Sequence, residues 1–259
     1  LSMLQCTDKN FLGRLGRRAA DIKDDLSPVD LSTIVASLCF SQVQPLILFQ
    51  LFKACEERIT DFKADDVILI LKGLNAAGPK FVATLASFTE FALDDIESLD
   101  AVVLSHFVNC FVSLEYSNRS HIEIVADAVA DRLDEMPERE VIGAMESLLK
   151  LNVLSSVFVM FHDRLLFLAP KIDTRNIFTV MDCCSQVPDD SQQLMTALMD
   201  RAADHYMIFS SNDLGDILEC LSTYPLAKNH RIVEAFGKHV KRRMDLLGPP
   251  PLSKCVHGL

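Results

Sequence analysis

Apolar side chains recur along this chain with the periodicity of α-helices, and one pattern returns six times at a spacing of 36 or 37 residues. Positions in each copy are counted from a marker residue. Apolar residues then fall at offsets −4, +1, +4 and +8, and the last three share one face of an α-helix, here called helix B. The markers are Asp30, Asp66, Val103, Glu140, Asn176 and Asp213.

A second helical pattern, helix A, precedes each helix B. Its apolar residues lie at offsets −18, −15 and −11, which again share one helix face. A period of this length over a whole chain is typical of stacked helix pairs. The pattern therefore predicts an all-α fold, a right-handed α-solenoid of about six two-helix repeats of 36–37 residues with a C-terminal capping helix.

We expect residues 1–259 to form one helical-repeat domain. The predicted repeats are 9–39, 45–75, 79–114, 119–151, 155–187 and 191–224, followed by a cap at 227–247 and a tail at 248–259. The cap carries basic residues on its outer faces, as the end of a solenoid requires. Gly248 and the three prolines after it are expected to end this helix and leave a loose tail or linker.

Composition excludes several classes of protein. The eight cysteines form no CxxC pair and no zinc-finger spacing, so we expect reduced, buried thiols in a reducing compartment and no bound metal. No apolar run approaches the roughly 20 residues of a membrane helix, which predicts no membrane association.

Catalytic motifs are also missing from the sequence. It contains no glycine-rich phosphate loop, no nucleophile elbow, no HExxH and no kinase signature. The histidines fall at unmatched offsets in different repeats. We therefore expect no enzymatic activity, no cofactor and no small-molecule substrate.

Charge is distributed unevenly. The formal net charge is −11, and residues 27–226 carry thirteen basic and thirty acidic side chains. Much of the acid lies in the predicted turns from helix A to helix B, which line up in a stack. This acidic edge is interpreted either as helix capping and solubility or as a docking edge for a basic partner. Its candidate residues are Asp61, Asp65, Asp94, Asp95, Glu97, Asp131, Asp134 and Glu135.

Helix B lines the inner curve of an α-solenoid, and its offsets +2, +3, +6 and +7 are expected to face outward there. Lys72 is the only basic residue at these offsets, which argues against a groove for a phosphate backbone. The candidate ligand contacts on this face are Lys72, Ser105, His106, Asn109 and Phe178. At the basic C-terminal end, Lys238, Lys241, Arg242 and Arg243 are either a solvated cap or contacts to RNA.

The helix B segments LSPVDLSTIVASL, FKADDVILILKGL and FSSNDLGDILECL resemble the repeats of organellar RNA proteins. These are the octotricopeptide and heptatricopeptide proteins and the helical region of FAST-kinase-like RAP proteins; armadillo and HEAT repeats share much of the spacing. The resemblance covers nearly the whole chain, although no RAP-like C-terminal domain is present. It implies a helical RNA-processing protein of mitochondria or plastids.

Three functional hypotheses follow. The first is a non-catalytic scaffold that binds protein subunits of a mitochondrial RNA-processing or ribosome-associated complex. The second is direct binding of single-stranded RNA along the inner curve. The third is an armadillo- or HEAT-like adaptor in the cytoplasm.

Overall fold

A computed structural model gives the fold of the chain. It describes residues 8–41, 43–187, 191–224, 227–228, 230–243, 245 and 248–258. Regular structure in these ranges is entirely helical. The predicted all-α helical-repeat fold is confirmed, whereas the right-handed superhelix stays a prediction.

Two compact units make up the chain, one ending at Met136 and the other beginning at Pro137. The boundary falls inside the fourth predicted repeat, between its helix A and its helix B. The helices of the first unit, α1–α7, are Lys9–Asp21, Pro28–Phe40, Pro45–Glu57, Ala64–Ala77, Val82–Asp94, Ala101–Ser113 and Arg119–Ala130. The helices of the second unit, α8–α14, are Glu138–Lys150, Leu154–Leu168, Thr174–Ser185, Gln192–Asp204, Ser211–Ser222, Arg231–Arg243 and Pro249–Gly258.

Within each unit the helices stack in chain order. In the first unit α1, α3, α5 and α7 are the A helices, each packed on the next, and α2, α4 and α6 are the B helices, which also pack in series. In the second unit α8, α10, α12 and α14 form the B series, and α9, α11 and α13 form the A series. Short 3-10 turns join helix A to helix B in most pairs. They are Lys23–Asp25, Ile59–Asp61, Ile96–Ser98, Leu133–Glu135 and Tyr206–Ile208.

The marker residue begins helix B by capping it. The Asp213 carboxylate accepts a hydrogen bond from the Ser210 backbone N–H at 2.9 Å, and the Ser210 hydroxyl accepts one from the Asp213 N–H at 3.3 Å. This reciprocal pair is a capping box. The Ser27 hydroxyl caps α2 in the same way by accepting from the Asp30 N–H, and Pro28 supplies the preset φ of the first helical turn.

Consecutive B helices approach closely at offset +7, where every repeat has a small residue. A Cβ built on Gly73 would lie 3.3 Å from the Cα of Ala36 in the preceding helix B. The Cys110 thiol donates to the Leu71 carbonyl at 3.2 Å across the next contact. Since close backbone approach excludes long side chains, small residues at this offset set the spacing of the stack.

Four arginines, at or just after the end of an A helix, each bind a backbone carbonyl of the preceding repeat. The Arg58 guanidinium donates to the Leu26 carbonyl at 2.8 Å, and that of Arg132 donates to the Leu99 carbonyl. The accepting residue always lies at offset −4 of the preceding repeat. In the second unit the same contact joins Arg201 to Ile172 and Arg243 to Phe209.

The prediction of a loose tail is wrong, because residues 249–258 form α14, which packs on α12. Together α13 and α14 make a seventh helix pair. A Cβ built on Gly215 of α12 would lie 3.4 Å from the Cα of Pro251, and the Lys254 ammonium donates to Asp216 at 2.6 Å. The three prolines fit because the first turn of a helix needs no backbone N–H donor.

The thiols in the described residues are free and buried. Burial raises the pKa of Cys39 and of Cys110 to about 12, which keeps both thiols protonated and unreactive at neutral pH. The prediction of reduced, buried thiols is confirmed at seven positions, and Cys6 lies outside the described residues. These thiols are Cys39, Cys55, Cys110, Cys183, Cys184, Cys220 and Cys255.

Candidate partner-binding surfaces

The acidic turns of the first unit lie at the surface. All eight predicted edge residues are exposed, which are Asp61, Asp65, Asp94, Asp95, Glu97, Asp131, Asp134 and Glu135. Asp61 forms a salt bridge with Arg58 at 3.3 Å, whereas Asp94 and Asp95 form none with another described residue. The surface placement therefore agrees with the sequence prediction, and the docking role stays a prediction.

One acidic neighbour of this edge has a different role. Asp66 follows the exposed Asp65 but is only 4% exposed. Its carboxylate accepts hydrogen bonds from the Lys63 backbone N–H at 3.1 Å and from the Ser32 hydroxyl of the preceding helix B at 2.9 Å. Asp66 is thus a cap and an inter-repeat link, and it is unavailable to a partner.

The exposed part of helix B is narrower than the sequence predicted. In the first unit Lys72 is exposed, and His106 and Asn109 are half-buried. Ser105 is fully buried and donates to the Val102 carbonyl at 2.8 Å, so its assignment as a ligand contact is wrong. Packing between consecutive B helices buries offset +7 at Gly73 and Cys110 of this unit, and offset +2 is buried at Ser105. The exposed strip therefore runs along offsets +3 and +6.

In the second unit this strip is acidic. Its charged members, which we call the carboxylate strip, are Glu146, Asp182, Asp216 and Glu219. Two lysines border it. The Lys150 ammonium donates to Glu146 at 2.6 Å, and Lys254 lies 2.6 Å from Asp216 and 3.0 Å from Glu219. Asp182 between them is exposed and forms no salt bridge with another described residue.

Two buried thiols lie next to carboxylates of the strip. Burial raises the pKa of Cys183 to about 12, and the nearby carboxylates of Asp182 and Glu146 add to the increase. Burial likewise raises the pKa of Cys220 to about 11, with a further contribution from Asp182. Since the influence of a charge falls with distance, the Asp182 carboxylate of α10 lies near both thiols, and the Glu146 carboxylate of α8 lies near Cys183.

Phe178, the fifth predicted contact, lies at offset +2 of α10 and is half-buried. Sequence reasoning placed Asp216 and Glu219 outward but did not identify the strip. The available signal was an acidic residue at offset +6 in three successive repeats, namely Glu146, Asp182 and Glu219.

The basic C-terminal patch is smaller than the sequence implies. Lys238 donates to Glu234 at 2.6 Å and holds the pKa of that carboxyl below its usual value. Arg243 uses its guanidinium to bind the Phe209 carbonyl. Only Lys241 and Arg242 of the four predicted residues are exposed without an ion pair to a described residue.

Other kinds of site find no support in the described ranges. No group of three or more potential metal ligands occurs among the residues that the structure describes. In the same ranges no helix has both the length and the apolarity needed to cross a bilayer.

Stacked helix pairs with charged exposed strips define the class of this molecule as a helical-repeat protein. Within that class the chain belongs to the RESC8 family, described as RNA-editing substrate-binding complex 8 protein, whose family model matches residues 1–259. A comparison with curated protein sequences gave no match. The family agrees with the predicted helical RNA-processing protein. The narrower likeness to octotricopeptide, heptatricopeptide or FAST-kinase-like RAP repeats stays a prediction.

Proposed function

We propose that this protein is a non-catalytic scaffold within an RNA-editing substrate-binding complex of the mitochondrion, where it binds other protein subunits. Family membership supports the complex and the RNA-editing setting. A stack of helix pairs offers extended surfaces for partners without requiring a pocket.

The observation that carries the proposal is the carboxylate strip of the second unit. A phosphate backbone is repelled by aligned carboxylates, whereas a basic protein segment is attracted to them. The strip lies on consecutive helices of the B series, and Asp182 at its centre has no cation paired with it among the described residues. These features favour a protein ligand that supplies lysine or arginine side chains.

The test compares two triple variants that change the net charge equally. One carries Glu146→Lys, Asp182→Lys and Glu219→Lys in the strip. The matched control carries Asp163→Lys, Glu234→Lys and Asp245→Lys at other exposed positions of the second unit. Affinity purification of each variant from mitochondria, with quantitative mass spectrometry, measures the protein partners that remain bound.

We expect the strip variant to lose at least one protein subunit that the control and the unchanged protein retain. The difference between the strip variant and the unchanged protein should be largest when both are purified at low ionic strength. At high ionic strength, salt screens the contact in the unchanged protein as well. Full retention of every subunit by the strip variant contradicts the proposal.

Direct RNA binding is the second candidate, and the exposed Lys241 and Arg242 favour it. A salt titration of single-stranded RNA binding to the purified protein separates the two functions. The scaffold should bind weakly at moderate salt, whereas a reader should show tight binding that falls steeply as salt rises. Tight binding that Lys241→Glu and Arg242→Glu abolish would make RNA the principal ligand.

A further inference from the structure

An apolar groove lies on the first helix pair, between α1 and α2, with a volume of about 210 Å³. Leu15 at its edge is 36% exposed, and Ile34 and Ser37 are half-buried. We call this the N-terminal groove. It is lined by Leu15, Arg18, Ala19, Ile22, Thr33, Ile34, Ser37 and Leu38.

The same positions are covered in the next repeats of the first unit. Leu15 corresponds to Leu51 and Phe88, which are 0% and 1% exposed. Ile34 corresponds to Ile70 and Phe107, which are likewise 0% and 1% exposed. In those repeats the helices that carry these residues pack on the helices of the preceding pair. The N-terminal groove is therefore the repeat-to-repeat interface of the first pair, and no helix pair among the described residues packs over it.

We propose that the N-terminal groove binds an amphipathic α-helix of a partner protein, which packs on α1 and α2 as a preceding repeat would. This proposal rests on the scaffold function and names one of its contacts. The helix presents small apolar side chains to Ser37 and a carboxylate to Arg18. We infer a helix as the ligand because the groove has the same residue positions as the interfaces between repeats, and in those interfaces the positions pack against helices.

The contact geometry within the stack sets the size of the side chains. At offset +7 the Gly73 position approaches the Ala36 backbone to 3.3 Å, measured from a built Cβ. Ser37 occupies this offset in the first repeat. Ser37 is half-buried, whereas the residues at the same offset in α4, α6, α10 and α12 are buried. A helix that packs here needs small residues opposite Ser37, because a long side chain would hold the two helices apart.

The charge around the groove predicts which charged residues flank the apolar face of the partner helix. Arg14, Arg17 and Arg18 of α1 are exposed and form no salt bridge with another described residue. Arg18 lines the groove, so a carboxylate on the incoming helix would pair with it. An RNA strand fits less well, because five of the eight lining residues are apolar and Arg18 is the one cation among them.

The test is residue-specific photo-crosslinking in the intact complex purified from mitochondria. A photoreactive amino acid replaces Ser37 in the groove or, as the control, Val29, which is 59% exposed on the same helix but lies outside the lining. Mass spectrometry then maps the peptide joined to each position. We expect position 37 to crosslink to one segment of another protein that has an apolar stripe of small residues and a flanking Asp or Glu, and position 29 not to.

Each other result overturns the proposal. A crosslink from position 37 to a second copy of this chain, or to any other segment of the same protein, identifies a different occupant. A crosslink to RNA, or the recovery of no crosslink from position 37, excludes a bound helix.

Variants supply a second, independent measurement. Leu15→Glu and Ser37→Trp should each reduce the recovery of the crosslinked partner at least tenfold, while Val29→Glu leaves it unchanged. Ser37→Trp fills the groove without adding a buried charge, so it remains informative if Leu15→Glu impairs folding. Retention of the partner by a folded Ser37→Trp variant contradicts the proposal. If the groove variants have no effect but the strip variants still release subunits, the scaffold function stands without this contact.

Discussion

The two units share one repeat but carry their acidic charge in different places. In the first unit it lies in the turns from helix A to helix B, as at Asp94 and Asp95, and the exposed strip of helix B carries Lys72 and His106 instead. In the second unit the carboxylates lie on the strip itself, and the turn before α12 exposes the apolar Met207 and Ile208.

This difference shows which positions the repeat constrains. The buried faces of both helices and offset +7 are fixed by packing, so they look alike in the two units. The turns and most of the strip contact solvent, so packing constrains their charge less than it constrains the buried faces. The difference predicts that the two surfaces, the turns of the first unit and the strip of the second, do not share one ligand, which charge reversal can test.

The largest expected effect tests whether the units are independent in stability. Phe107 of the first unit and Phe161 of the second are both buried, at 1% and 0% exposure. Replacing either with alanine should reduce the free energy of unfolding by about 3–5 kcal/mol, through lost burial and the cavity that remains. Urea unfolding monitored by hydrogen exchange assigns the loss to helices of one unit or of both.

We expect Phe107→Ala to increase exchange mainly in α2–α7 and Phe161→Ala mainly in α8–α12, since repeat arrays transmit damage to neighbouring layers. Uniform destabilisation of all helices by both variants would mean that the two units unfold as one. A loss below about 1 kcal/mol at both positions would contradict the burial itself.

A smaller effect on the free energy of unfolding should distinguish glycines of helix B that touch the preceding helix from glycines that contact no neighbour. Gly73→Leu in α4 forces a side chain against the Ala36 backbone and should cost about 1–3 kcal/mol. The matched control is Gly143→Leu in α8, where a built Cβ meets nothing within 4 Å. Because leucine has the higher helix propensity, the control should be neutral or stabilise by up to about 1 kcal/mol. Thermal unfolding followed by circular dichroism gives both values, and equal destabilisation would refute the close approach of α2 and α4.

Charge reversal of the acidic turns in the first unit and of the carboxylate strip in the second tests whether the two surfaces bind the same protein subunits. We expect Asp94→Lys, Asp95→Lys and Glu97→Lys together to release different subunits from those released by the strip variant. Association with each affected subunit should slow about tenfold, because surface charge acts mainly on the rate of encounter. Surface plasmon resonance with the identified subunits measures this rate. Loss of the same subunit from both variants would show that the units share one ligand.

The smallest effect concerns His239 in α13, whose counterparts in α9 and α11 are Leu165 and Ala202. His239 is 3% exposed and lies edge-on to Tyr206, and burial together with the Arg243 charge lowers its pKa from 6.5. The folded state thus keeps the ring neutral where the unfolded state binds a proton. Stability should therefore fall as pH decreases from about 6.5 towards the lower pKa of the folded state.

Urea unfolding at pH 7.5 and 5.5 measures this contribution. His239→Leu should reduce the loss of stability between the two pH values, chiefly in α11–α14. The counterparts in the first unit are apolar, at Ala19, Cys55, Ala92 and Val129, so its stability should not change with the substitution. An unchanged pH dependence in the variant would show that folding does not lower the pKa of His239.

The sequence predicted the helices well because their signals are local. The periodic apolar residues fixed both helices of each pair, and Ser27 followed by Pro28 located the beginning of α2. The exposure of the acidic turns followed from their polarity. Each of these inferences needs only residues within one repeat.

Contacts between repeats were harder to predict. Periodicity shows which residues share one face of a helix, but it does not show which helix packs against that face. Ser105 and Cys110 fall on a polar-looking side of helix B, yet both are buried, and the Cys110 thiol contacts the Leu71 carbonyl of α4. The small size of offset +7 in all six repeats was the signal for this packing. Pro249–Pro251 was interpreted as a stop, whereas the same residues begin α14.

The arginine links between layers bind carbonyl oxygens, which every amino acid possesses. The side chain at the receiving position is consequently free to differ, and leucine, isoleucine and phenylalanine all occur there. A hydrogen bond to a backbone carbonyl tolerates substitution of the accepting residue. The side chain can therefore change at this contact between repeats while the hydrogen bond is kept. This freedom would let an ancestral duplication acquire separate roles along one continuous backbone.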